Sequence, residues 1–93
     1  MISSTVKSGY MTIEHDPENE ATFYTILTNE LCKNRHGVIN GVIEKQDDIF
    51  YCLIVDDFWP NDLKEKEFKT LQQAQEFTLS ELNKIQQHYL NKN

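Results

Sequence analysis

Apolar residues alternate with polar ones over much of this chain, and shift to a spacing of three to four only near its end. The densest apolar run, Ile49 to Val55, is rich in β-branched and aromatic residues and predicts a buried central strand. Before it, Val38 to Lys45 alternates as a strand with Gly41 as a weak point, and Gln46-Asp47-Asp48 supplies a polar turn, so the two predict an antiparallel hairpin. After it, Phe58-Trp59-Pro60-Asn61-Asp62 breaks the pattern as a loop. Leu63 to Lys69 then alternates charges in the manner of an exposed edge strand, whose lysines and carboxylates discourage pairing with other chains.

The N-terminal half reads less uniformly. Thr5 to Glu14 predicts one modest strand, with Gly9 as a candidate bulge. Asp16-Pro17-Glu18-Asn19-Glu20 has the features of a helix start: Asp16 as cap, Pro17 at the first helical position, and acids at the positive end of the dipole. A helix is therefore expected from near Pro17, burying Phe23, Ile26, Leu27 and Leu31, with Gly37 as its stop. The segment Thr22 to Thr28 is nevertheless rich in β-formers. At the other end, Thr70-Leu71-Gln72-Gln73 matches a capping box, and a stripe of Leu71, Ala74, Thr78, Leu82, Ile85 and Tyr89, with Phe77 alongside, predicts a long helix lying on a sheet. The glutamines of that helix, Gln72, Gln73, Gln75, Gln86 and Gln87, are expected to be solvated. The expected fold is a single α+β domain spanning residues 1–93. It is an antiparallel meander of three to four strands with two helices, in the order strand, helix, three strands, helix.

Composition narrows the function. Fifteen acids against nine bases give a net charge of -6, which argues against direct nucleic-acid binding, because phosphate contacts need a basic footprint. No run approaches the length of a membrane span, the N-terminus lacks the apolar core of a secretory signal, and Cys32 and Cys52 read as free buried thiols. Together these point to the cytoplasm. The acids are unevenly spread: Glu14, Asp16, Glu18 and Glu20 form one cluster without a base, and Asp47, Asp48, Asp56, Asp57, Asp62, Glu65 and Glu67 form another against two lysines. On a strand, Glu65 and Glu67 share a face about 6.6 Å apart, comparable to neighbouring backbone phosphates. Turns and helix starts also recruit Asp and Glu for structural reasons.

Enzymatic and metal chemistry find little support. Asp57 with Glu67-Phe68-Lys69 resembles the acid and E-x-K layout of metal-dependent nucleases, but a charged edge strand produces that pattern readily. Cys32 and His36, four apart, lack the further ligands that zinc needs. The reading therefore includes no catalytic residue, no metal and no cofactor. Phe58 and Trp59 make an aromatic loop beside the acids. Trp59 either folds inward to close the core or stands at an interface.

With its opening MISSTVKSGYMTIEHDPENEATFY and its acid-flanked core IFYCLIVDDFWPND, the whole chain resembles the small acidic anti-restriction proteins of T-even bacteriophages. That resemblance implies a DNA-mimic inhibitor, dimeric, which occupies the DNA-binding surface of the host restriction endonuclease McrBC and protects phage DNA in the host cytoplasm. Carboxylates would then replace phosphates against Lys and Arg of the partner. The alternative is an interaction module whose contact is apolar, centred on Phe58 and Trp59, with the acids serving solubility.

Overall fold

Alternation with a period of two governs more of the chain than the expected three to four strands. The computed structural model describes residues 4–27, 37–56 and 64–91. In it, six strands form one antiparallel sheet in sequence order: β1 (Ser4–Ser8), β2 (Met11–Asp16), β3 (Ala21–Leu27), β4 (Val38–Gln46), β5 (Ile49–Asp56) and β6 (Lys64–Phe68). One helix, α1 (Leu71–Leu90), comes after them. The architecture is thus mostly sheet, which overturns the expected arrangement of three to four strands with two helices.

Two features cause the difference. The expected first strand is split by a tight turn at Gly9 and Tyr10, and Ser8 pairs directly with Met11. Gly9 is no bulge: it adopts φ +63°, a conformation open to glycine at low cost and suited to the first central position of a two-residue hairpin. The expected helix start at Pro17 is a turn instead. Asp16 accepts the Glu18 backbone N–H at 3.0 Å and the Asn19 side-chain amide at 2.7 Å, and Glu20 takes a left-handed φ of 50°. An aspartate that could cap a helix here closes an Asx turn. Beyond that turn, strand pairing decides the conformation: residues 21–26 pair with β2 and residues 22–27 with β4. Phe23 and Ile26, expected on one helical face, point to opposite faces of the sheet. Leu31 and Cys32 lie outside the described residues.

The later elements agree with the expected pattern. β4 and β5 form a hairpin through Asp47 and Asp48, with Asp47 at φ 58°, and β6 pairs antiparallel with β5 at the sheet edge. Thr70 caps α1 by accepting the Gln73 N–H at 3.2 Å. Ala74, Thr78, Leu82 and Tyr89 are buried, while Leu71, Phe77 and Ile85 pack at the margin of the core.

Cross-strand register shows which face α1 covers. Met11, Ile26 and Ile39 form one row. Tyr24, Gly41 and Ile54 form a second, and Thr22, Ile43 and Cys52 a third. Apart from Gly41 and the polar Thr22, all belong to the buried core shared with α1. Gly41 lets the helix come close, since a Cβ there would stand 3.0 Å from both Leu82 Cδ1 and Thr78 Cγ2. Its small size is therefore a packing requirement of the docked helix. Thr78 also hydrogen-bonds Cys52 Sγ at 2.7 Å. Burial pushes the Cys52 thiol above its ordinary range, an effect that this hydrogen bond opposes, and burial with the nearby Cys52 pushes the Tyr24 phenol up to about 12. Gln86, expected in solvent, is buried at 7% exposure. Its Oε1 accepts the Tyr10 N–H at 3.2 Å, which ties α1 to the β1–β2 turn.

If α1 holds the sheet through this seam, Leu82→Ala should cost about 2–5 kcal/mol and Gly41→Val about 1–3 kcal/mol. Both are read as shifts of the urea midpoint at unchanged slope.

Candidate partner-binding surface

β6 sorts its charges by the pleat. In Glu65-Lys66-Glu67, successive side chains alternate between faces. Glu65 stands opposite Leu53 and Glu67 opposite Tyr51, whereas Lys66 stands opposite buried Cys52. The glutamates therefore point away from α1. Lys66 remains on the helix side, with Nζ 5.5 Å from the centre of the Phe68 ring and 5.2 Å from that of Phe77. This cation–π seat holds its charge away from the carboxylates.

On the face away from α1, Glu65 and Glu67 have company. Tyr51 lies between β4 and β6 in one row with Glu44 and Glu67, so Glu44 and Glu67 are two strand spacings apart, about 9.6 Å. The Tyr51 hydroxyl hydrogen-bonds the Glu65 carboxylate. That bond, then burial, then the charges of Glu65 and Glu67 hold the phenol above its ordinary range. Asp47 and Asp48 continue the acidic line at the adjacent turn and are exposed. Among the described strand residues, Lys7 on β1 is the one cation on this face.

The other acidic cluster is less uniform. Glu14 lies on the same open face, opposite Phe23. Glu18 is exposed in the β2–β3 turn. Glu20 accepts a 2.9 Å salt bridge from Lys45, linking that turn to the end of β4. The Glu20 carboxylate raises the Lys45 pKa. Asp16 is 8% exposed and occupied by its own turn, so it contributes charge without presenting a free carboxylate edge. The hydrogen bond from the Asn19 amide, and after it the Glu18 backbone N–H, hold Asp16 below its usual range.

The structure thus gathers Glu65, Glu67, Asp47 and Asp48, adds Glu14 across the sheet, and gives Asp16 and Glu20 local structural partners. Asp56 ends β5 opposite Ile39. Asp57, Asp62, Phe58 and Trp59 lie outside the described residues, as does His36. Glu44 was missed by sequence reasoning, although the parity of VINGVIEKQ, with Ile39, Gly41 and Ile43 inward, places it outward. Among the described residues, no three His, Cys, Asp or Glu side chains converge as a metal site would require. No described helix is long and apolar enough to cross a membrane. Comparison with family models, curated proteins and solved structures finds no match.

Two titrations check this geometry. Glu65→Gln should bring the Tyr51 phenol back toward its ordinary pKa, followed by its ultraviolet absorbance against pH. For Asp16, a folded-state pKa below the unfolded one means that its stabilisation is complete above the unfolded value, about 3.9. It is lost as pH falls through the folded value. Acidification through this window should therefore lower the urea midpoint of the native chain more than that of Asp16→Asn.

Proposed function

We propose that this protein is a non-enzymatic inhibitor that presents its α1-free face and the adjoining turns as a DNA mimic. It would occupy the DNA-binding surface of a host restriction endonuclease of the McrBC type in the host cytoplasm. The observation that carries this reading is the sorting of charge across the sheet. Glu44, Glu65 and Glu67 share one face, with Asp47 and Asp48 at its end, while Lys45 and Lys66 lie on the other. Pleated strands hold carboxylates at fixed intervals, about 6.6 Å along β6 and about 4.8 Å per strand across the sheet. Such a lattice can meet several Lys and Arg side chains of a DNA-binding surface together. The resemblance to the anti-restriction proteins of T-even phages, Arn among them, supplies the partner. It also implies a homodimer, which would double the acidic surface.

Mechanistically the proposal is competitive occupancy. The carboxylates neutralise the partner's cations, the phage DNA is excluded, and no bond is made or broken. Attraction of this kind accelerates encounter and weakens with salt.

Binding to McrBC should therefore fall by roughly tenfold or more between about 0.1 and 0.5 M salt. The combined substitution of Glu44, Glu65 and Glu67 by Gln, with Asp47 and Asp48 by Asn, should flatten that dependence. Calorimetric titration reads both. A salt-independent affinity that survives the amide substitutions would defeat mimicry and leave an apolar contact.

A further inference from the structure

The face that carries the glutamates is not wholly acidic. Register places Glu14, Phe23, Val42, Leu53 and Glu65 in a single row across five strands, from β2 to β6. Its three central side chains are apolar and its two ends are carboxylates. Phe23, Val42 and Leu53 are only half-buried and belong neither to the core nor to the residues packed against it. Among the described residues, no element lies over them. Along the strands apolar side chains continue from Leu27, 43% exposed, through Val55, Leu53 and Tyr51 to Ile49, 40% exposed, while Thr25 on β3 and Asn40, Glu44 and Gln46 on β4 interrupt them with polar positions. A surface for phosphate mimicry alone has no use for such a floor, and leaving it in water is unfavourable.

We propose that this trough seats an amphipathic helix of the partner, one with an apolar stripe flanked on both sides by Lys or Arg. The proposal rests on the reading of a basic partner and names the element that the partner brings. The dimensions agree. Glu14 and Glu65 stand four strand spacings apart, about 19 Å. A helix with its side chains is about 10–12 Å wide, which leaves a few Å on each side for the flexible stems of Lys and Arg to cross. From the Leu27 and Val38 row to Ile49 the face, polar positions included, spans four steps along the strands, about 27 Å, or roughly 18 residues of helix. Thr25 and Asn40, beside Val55 in the next row, and Glu44 farther along β4 are polar positions that reward hydrogen-bonding or basic side chains on the incoming helix and so fix its register.

Charge decides among occupants. A second copy laid face to face would bring its own Glu44, Glu65 and Glu67 against the same carboxylates, Glu44 within the trough and Glu65 and Glu67 at its border, and an anionic lipid surface would meet the same repulsion. A helix with basic flanks meets attraction at both borders and an apolar floor between them, the helix-in-groove mode of recognition.

The test uses the full chain and two synthetic 18-residue helical peptides with identical Lys and Arg flanks, one with a Leu stripe and one with a Ser stripe. The Leu-striped peptide is expected to bind at least tenfold more tightly and to shift the amide resonances of β3, β4 and β5. Val42→Thr with Leu53→Thr should remove most of that advantage and leave the salt dependence unchanged. Glu14→Gln with Glu65→Gln should reduce the salt dependence and preserve the preference for Leu. Equal binding of the two peptides to the native chain, or shifts confined to α1, overturns the docking of a helix. A Leu preference that persists with no salt dependence overturns the phosphate-mimic reading instead, so the two failures are distinguishable.

Discussion

Among the described residues, a single helix lies on one side of six strands, and the rest of the described structure depends on that asymmetry. Where α1 packs, residues must be apolar, small or hydrogen-bonded, as Ile39, Gly41, Ile43 and Cys52 are. On the opposite side no described element imposes that demand, and the same strands can carry Glu14, Glu44, Glu65 and Glu67 without burying a charge. Because side chains alternate strictly along a strand, a residue's parity relative to Gly41 or Cys52 settles whether it supports the helix or faces outward. A slip of one residue in β6 would exchange Glu65 and Glu67 for Lys66. The packing of Phe68 on Phe77, with ring centres 5.3 Å apart, opposes such a slip.

The same parity explains how much of the fold was legible in the sequence. β4, β5, β6 and α1 were readable because pattern and punctuation agree in each: a continuous or alternating apolar run, a polar turn, a capping threonine. The β2–β3 hairpin was not, because Asp-Pro-Glu-Asn serves two purposes. An aspartate that accepts backbone N–H groups two or three residues ahead is the first step of both a helix and an Asx turn. The residues downstream must arbitrate, and Thr22, Phe23, Tyr24, Thr25 and Ile26 favour a pleated surface. Buried and half-buried residues alternate from Thr22 to Ile26, whereas the helical reading had joined Phe23 to Ile26. Tertiary pairing on both sides of β3 then outweighs any helical signal at its start.

The candidate surface was legible only in part, for a related reason. Spacing along one strand is visible in sequence, so Glu65 and Glu67 could be paired without coordinates. Neighbours across strands depend on register, so neither Glu44 beside Tyr51 and Glu67, nor the apolar row between Glu14 and Glu65, could be assembled from spacing alone. Counting acids was also a poor guide to their availability. Asp16 and Glu20 contribute to the count as much as Glu65 does, yet one closes a turn and the other bridges to Lys45.

Net charge misleads in the same way. A value of -6 is modest for a molecule read as an imitation of nucleic acid, and in β6 the lysines and glutamates cancel in the sum. They do not cancel in space. The pleat sends Lys66 to the aromatic seam with Phe68 and Phe77 and sends both glutamates to the opposite face. With the sheet's low-dielectric interior between them, the outer face presents a negative field that the total charge conceals. A partner approaching the β4–β6 side of that face would meet carboxylates first, with Lys45 and Lys66 behind the sheet and Lys7 three strands away from β4 on β1. On the proposed reading as an inhibitor, this arrangement reconciles two needs: a total charge low enough to limit self-repulsion of the folded chain, and a local field strong enough to engage a cationic partner.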